Sequence, residues 1–193
     1  MTSPFEDVPA DALVRFVAEY PLAWIIPNRA PADALLMPVL LDGPDLDTGT
    51  MLGHLPRRAP ATQALQDDGC ATLLFLGPNA YIPPSWISKP GWAPTWNFVS
   101  LKLSGTIGID ETLTEEAVVR LVSHMEDRAG TGWSVDRMGE RFHTLLGGVI
   151  GFRMQIESVS PRFKTGQDES PSSQEEIFSA LADHPLQAWM KRP

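Results

Sequence analysis

Between Phe98 and Ser104 the chain alternates cleanly: Val99, Leu101 and Leu103 are apolar, while Ser100, Lys102 and Ser104 are polar. A period of two describes a strand with one face on a core and the other in water. Val149 to Ser158 repeats the pattern, with Ile150, Phe152, Met154 and Ile156 set against Gly151, Arg153, Gln155 and Glu157. Two half-wet strands of this kind belong to an antiparallel sheet. Gly105 and Gly108 mark bulges where the first strand continues to Ile109.

Shorter apolar runs precede these strands. Leu22 to Ile26 reads as a buried strand paired as a hairpin with Ala34 to Leu41, whose Pro38 implies an edge or a bulge. Met51 to Leu55 and Ala71 to Leu76 follow, the latter ended by Gly77-Pro78-Asn79. Helical spacing occurs in Val8–Tyr20, with Asp7 as N-cap, and in Ala61–Asp67. It recurs after Thr114, where Val118, Leu121, Val122 and Met125 form the apolar face and Thr114 caps the helix. Ser134 is placed to cap a helix over Val135–Leu146, and Glu175–Ala182 is a last helix. About six or seven strands and three or four helices, without regular strand–helix alternation, fit a mainly β, α+β chain: a small antiparallel barrel with helices packed outside. Residues 1–165 carry the barrel. Residues 166–193 supply a linker, Gly166 to Gln174, and the C-terminal helix, with Trp189 available to dock on the body or on a partner.

Composition narrows the function. A chain of 193 residues with 43% hydrophobic residues makes one domain with a real core. A formal net charge of −9 opposes general nucleic-acid affinity, and Pro56-Arg57-Arg58 is the one short basic candidate. The single cysteine, Cys70, excludes an intramolecular disulfide and a multi-cysteine zinc site; ahead of an apolar run it reads as a buried, inert thiol. With no basic-then-apolar leader and no long apolar run, a cytoplasmic location is expected. Nucleophile-elbow, phosphate-loop, zinc-protease and dinucleotide motifs are absent, and His54, His124, His143 and His184 show no metal-ligand spacing.

Two stretches carry chemistry. His54, Arg57 and Arg58 stand at one strand end, where two guanidinium forks suit a phosphate or simply form a solvated basic turn. Tyr81 to Phe98 holds Trp86, Trp92 and Trp96 with Pro83, Pro84, Pro90 and Pro94, so it cannot be a helix. It reads as a long rigid loop. Its rings either plug a barrel end or stack on a flat heterocycle, with Ser85, Thr95 and Asn97 as orienting polar groups. An arginine pair plus an aromatic wall is what a nucleotide-like cofactor needs.

These residues also carry a family likeness. Gly53-His54-Leu55-Pro56-Arg57-Arg58-Ala59-Pro60 resembles the Gly-His-Leu-Ala-Arg-Ala-Asn-Pro element of the PaiB family of FMN-binding split-barrel proteins. Phe75 to Trp86 is similar to that family's Phe-x-Gly-Pro-x-x-Tyr-Ile-Ser-Pro-Ser-Trp, and Pro94 to Phe98 to its Pro-Thr-Trp-Asn-Tyr. Gly132-Trp133, Leu146 to Phe152 and Phe163 to Asp168 continue the likeness in order. The resemblance implies a Greek-key-like split β-barrel, a homodimer, and FMN near the subunit interface. By motif, His54, Arg57 and Arg58 face the FMN phosphate. Ser85, Trp86, Thr95, Trp96 and Asn97 line the ring or ribityl side, and Gln167 reaches the pocket, across the dimer or within one chain. The implied function is a flavin-dependent redox protein of the oxidoreductase kind, with no catalytic acid assigned, since no proton donor stands out beyond Tyr81, His54 and Lys89. The alternatives are a non-enzymatic ligand-sensing transcriptional regulator and a haem-handling barrel with His54 as ligand. Met37 replaces a family histidine, Pro83 a serine, Ile87 a tyrosine, Arg58 an alanine and Ala59 an asparagine. Gly166 and Asp168 replace serine and asparagine. Lost hydrogen-bonding groups and the Asp168 charge lower the expected flavin affinity, while Arg58 raises it.

Overall fold

Six strands close on themselves as one antiparallel barrel. They are β1 (Leu22–Pro27), β2 (Leu35–Asp42), β3 (Thr50–Pro56), β4 (Cys70–Ile82), β5 (Thr95–Ile109) and β6 (Val149–Lys164), arranged β1-β2-β3-β6-β5-β4. The computed structural model describes residues 3–190. After three consecutive strands, β4 returns beside β1, which is the Greek-key order. Five helices lie around the barrel: α1 (Ala10–Glu19), α2 (Pro60–Asp67), α3 (Thr114–Ala129), α4 (Glu140–Leu146) and α5 (Pro171–Ala180). None of the described helices is long and apolar enough to cross a membrane.

The alternation expected of β5 and β6 places the core. Val99, Leu101, Leu103 and Ile107 of β5 are buried, as are Ile150, Phe152 and Met154 of β6. The expected bulge lies between Ser104 and Gly105, where a Cβ on Gly105 would stand 1.9 Å from the Gln155 carbonyl oxygen. From α1, Leu13, Phe16 and Val17 are buried. Phe16 meets Phe163 at 5.4 Å and Trp189 at 5.6 Å between ring centroids, both edge to face. Contacts of this kind add about 0.5–1.5 kcal/mol each beyond the buried area. Trp189 thus docks on the body of its own chain.

Several expectations need correction. Asp7 and Ser134 do not cap their helices: α1 starts after Pro9 with no side-chain cap, and Ser134 bonds Asp136 instead. The expected helix over Val135–Leu146 is a 3-10 turn, Val135–Met138, then α4, because Gly139 breaks it at φ 54°. Thr114 opens α3 rather than capping it, and its Oγ accepts the Gly151 N–H at 2.9 Å. Gly151 permits that approach, since a Cβ there would lie 2.5 Å from the Leu113 carbonyl carbon. The linker shortens because Ser170 caps α5 and Pro171 occupies its first turn.

β1 alternates instead of being buried throughout: Ala23 and Ile25 face the core, while Leu22 and Trp24 face outward. Pro38 is on no edge; it pairs with Leu22, and the β2–β3 ladder begins only at Val39, so its missing N–H costs no bond there. Cys70 is exposed rather than buried, and the hydrogen bond and charge of the neighbouring Asp68 raise its thiol pKa, which disfavours the thiolate. β4 does not stop at Gly77-Pro78-Asn79. Its ladder with β5 shifts register between Leu76 and Asn79, which absorbs Pro78, then runs to Ile82. The aromatic loop therefore shrinks to residues 83–94, with a 3-10 turn at Pro84–Trp86.

Candidate functional site

β3 delivers His54, Arg57 and Arg58 to one end of the barrel. Met51 and Leu55 point into the core, so His54 points outward, beneath α3 and α4. There it lines a cavity of about 150 Å³ with Val118, Val122, Val135, Met138, Phe142, Leu145, Leu146 and Val149. No arginine lines that space. The His54 Nδ1 is shut off from solvent and has no hydrogen-bond partner among the described residues. Burial lowers the ring's pKa, which keeps the imidazole neutral at neutral pH.

Arg57 is already engaged. Nη1 and Nη2 donate to the two Glu111 carboxylate oxygens, each at 2.7 Å, in a bidentate fork. Nη2 also donates to the Val149 carbonyl at 2.7 Å and Nε to the Gly147 carbonyl at 3.1 Å. The Arg57 hydrogen bonds hold the Glu111 carboxyl below the ordinary range, and the same contact raises the guanidinium's pKa. Arg58 is exposed and makes no ion pair among the described residues.

The aromatic residues stand elsewhere. Tyr81 of β4 and Trp96 of β5 are register partners on the outer face, 47% and 55% exposed, with ring centroids 5.7 Å apart. Asn97, one residue on, turns inward, is 1% exposed and leaves Nδ2 unpartnered. Gly166, at φ +88°, lies against it: a Cβ there would stand 3.4 Å from the Asn97 Nδ2. Thr95 accepts a hydrogen bond from Lys164. Within the loop Ser85 is exposed, Trp86 is half-buried and Ile87 is buried, so Ile87 packs where the family tyrosine carries a hydroxyl. Two carboxylates pin the loop: Trp92 Nε1 donates to Glu169 and the Ser88 N–H to Glu176, both at 3.0 Å. Gln167 ties its own turn. It accepts from the Thr165 N–H at 2.7 Å and donates to the carbonyls of Phe163 and Pro4. Met37 packs against the core, and Asp168 is exposed.

The ladder between β5 and β6 measures the separation of the two groups. Phe98 pairs with Lys164 at one end, beside Trp96, Asn97 and Gln167. Ile109 pairs with Phe152 at the other, and Phe152 pairs with Gly53, next to His54. One chain therefore gathers Ser85, Trp86, Thr95, Trp96, Asn97 and Gln167 at one end and His54, Arg57 and Arg58 at the other.

Sequence reasoning missed Glu111, Glu169 and Glu176, none of which carries a local signal. It also missed an outward apolar face: Leu22, Trp24, Leu36, Leu74 and Leu76 are each 39–62% exposed. By register Trp24 stands between Leu36 and Leu74, on an open groove of about 840 Å³ that continues past Leu76 to Lys102, Val159 and Arg162. The unbroken apolar run Leu22–Ile26 was the available signal, since a strand with no polar face has no wet side.

Residues 1–158 match a family described as "Putative FMN-binding domain". A curated relative, protease synthase and sporulation protein PAI 2 of Bacillus subtilis, is 25% identical over 67% of this chain. The matched region spans 63% of that relative's length. Two solved structures are similar in fold. A conserved hypothetical protein of Mycobacterium tuberculosis superposes with a TM-score of 0.58 at 9% identity, covering 88% of this chain and 94% of its own. An FAD and haem binding protein of Mycobacterium smegmatis superposes with a TM-score of 0.56 at 13% identity, covering 88% and 77%.

Proposed function

Because this chain belongs to the FMN-binding domain family, matched over residues 1–158, we propose that it is a flavin-binding redox protein that holds FMN where two copies meet. The observation that carries this reading is the division of the binding chemistry between the two ends of the β5–β6 ladder. A two-fold dimer whose axis runs across the ladder sets one end of each ladder against the opposite end of its partner's. That pairing sets Trp96 and Tyr81 of one copy toward the arginine end of the other, and does so twice. The apolar face at Trp24, Leu36, Leu74 and Leu76 supplies a surface for the copies to bury.

The side chains fit the cofactor in part. Trp96 and Tyr81 present exposed faces for a flat ring system, with Thr95, Ser85 and Trp86 along its side. Arg58, without an ion-pair partner among the described residues, offers its fork to a terminal phosphate, whereas Arg57 serves it only by releasing Glu111. Asn97 and Gln167 reach it only if the turn around Gly166 moves. FMN bound there supplies electron transfer, and the protein supplies binding and orientation. His54 stands apart, in hydrocarbon.

Titration of FMN tests this, with flavin fluorescence and solution mass as readouts. Saturable quenching by a dimer is expected, weakened by Trp96→Ala and by Arg58→Ala. Unchanged fluorescence overturns the reading. A non-enzymatic ligand sensor is the second reading, and the neutralised Arg57 favours it. It requires flavin binding with no steady consumption of NADH or NADPH. The haem alternative loses ground because a porphyrin is too large for the space beside His54; an unchanged Soret band on haem titration is expected.

A further inference from the structure

One charged side chain at the aromatic end has no assigned part in holding FMN. Lys164 ends β6 and pairs in register with Phe98, two residues along β5 from Trp96. Register partners share a face, so Lys164 stands on the outer face and is the diagonal neighbour of Trp96 across the ladder. Such neighbours lie about 7–8 Å apart, within reach of a long side chain. Lys164 is half-buried, and its Nζ donates to the Thr95 hydroxyl.

The ammonium is not spent there. It has three N–H donors and gives one to Thr95, which leaves two for a ligand. No carboxylate pairs with Lys164 among the described residues. The acids of this end are directed elsewhere: Glu169 accepts from Trp92, Glu176 from the Ser88 N–H, and Glu6 lies 3.8 Å from Arg162. Asp168 is exposed. The other cations differ from Lys164. Lys89 is exposed on the loop, and Arg162 lies over the Phe5 ring.

A cation held beside the Trp96–Tyr81 pair can serve FMN in two ways. It meets the terminal phosphate, or it meets the pyrimidine edge of the ring, where N1 and the C2 carbonyl accept hydrogen bonds. Reach separates the two. A ring stacked on Trp96 brings its own edge to Lys164, whereas the phosphate sits at the far end of the ribityl chain. The ring edge also carries a consequence. Two electrons and one proton convert neutral oxidised flavin into its reduced anion, whose charge falls on N1 and the C2 oxygen. A fixed ammonium at that edge holds the reduced form more tightly than the oxidised one.

We propose that Lys164, oriented by Thr95, sets the reduction potential of flavin bound on Trp96 by holding the charge that reduction places on the ring. The proposal rests on the flavin reading above.

Lys164→Met keeps an unbranched side chain and removes the charge. FMN and riboflavin are titrated by fluorescence into the full chain and the variant. Potentials are then read by anaerobic titration against a redox dye, with dithionite supplying the electrons. Riboflavin lacks the phosphate, so it isolates the ring contact. The variant should bind oxidised flavin within about threefold of wild type and reduced flavin about tenfold more weakly, which lowers the two-electron potential by about 30 mV. FMN and riboflavin should shift alike, and Lys164→Arg should restore most of the potential. Thr95→Val, which releases the ammonium, should move it in the same direction by less, and it carries the test if Lys164→Met does not fold. An unchanged potential with flavin bound overturns this proposal alone. So does a loss of affinity confined to FMN, which would put the ammonium on the phosphate. A wild type that binds no flavin overturns this proposal together with the reading it rests on.

Discussion

The two faces of β3 meet unlike surroundings. Inward, Met51 and Leu55 are wholly buried, and a Cβ on Gly53 would stand 2.7 Å from the Phe152 ring. Outward, His54 faces a helical cover in which Val118 and Val122 are only half-buried and Leu145 is 51% exposed. Every barrel strand is held by ladders on both sides, so the interior has no freedom to loosen. Polar ties hold the cover at separate points: the Thr114–Gly151 bond, the His124–Ala18 carbonyl contact between α3 and α1, the Arg57 bonds to the Gly147 and Gly148 carbonyls, and an ion cluster in which Asp42 pairs with Arg120 of α3 and Arg153 of β6. A packed interior and a half-buried cover are the expected division between fold and ligand chemistry, because space near a site survives only where packing does not close it.

Substitutions can break that contrast. Phe152→Ala in the barrel should cost about 3–5 kcal/mol in urea unfolding, against clearly less for Phe142→Ala on α4, which borders the cavity. Equal losses would show that the cover is packed as tightly as the barrel. Overpacking gives the next largest difference. Val99→Leu adds volume to a closed core and should cost about 1–3 kcal/mol, whereas Val122→Leu grows toward empty space and should change stability by less than about 1 kcal/mol.

The third difference is in pH. Burial lowers the His54 pKa in the folded chain, so the unfolded chain binds more protons in the window below the ordinary imidazole value. Stability from this group is present above that value and lost as pH falls through the folded pKa. Between about pH 8 and pH 5.5 the wild type should lose more of its thermal midpoint than His54→Leu, and parallel losses would sink the assignment. The smallest effect is at the exposed Arg57–Glu111 pair. Glu111→Gln should leave the thermal midpoint unchanged, yet tighten FMN binding by freeing the Arg57 fork. Unchanged FMN affinity would remove Arg57 from the flavin site.

Much of the fold was legible because it is written in short-range patterns. β5 and β6 follow from strict alternation, the β1–β2 hairpin from two apolar runs across a turn, and the bulge from Gly105. The continuation of β4 past Pro78 was not legible, because the register slip that tolerates a proline depends on the partner strand. The site was legible by residue type and not by arrangement. Trp96 and Arg58 are exposed, while Asn97, Gln167 and Arg57 are covered or engaged by partners far off in the chain.

The sequence by itself determined the half-wet antiparallel strands of a small barrel with outer helices, since side-chain alternation and proline's missing N–H act on immediate neighbours, while the Greek-key order was implied only by the family resemblance. Only the tertiary structure decided that Arg57 spends its fork on Glu111, that His54 turns into hydrocarbon, and that the aromatic and cationic residues stand at opposite ends of one ladder. Those outcomes depend on strand register and helix docking, which bring together residues that no local pattern connects.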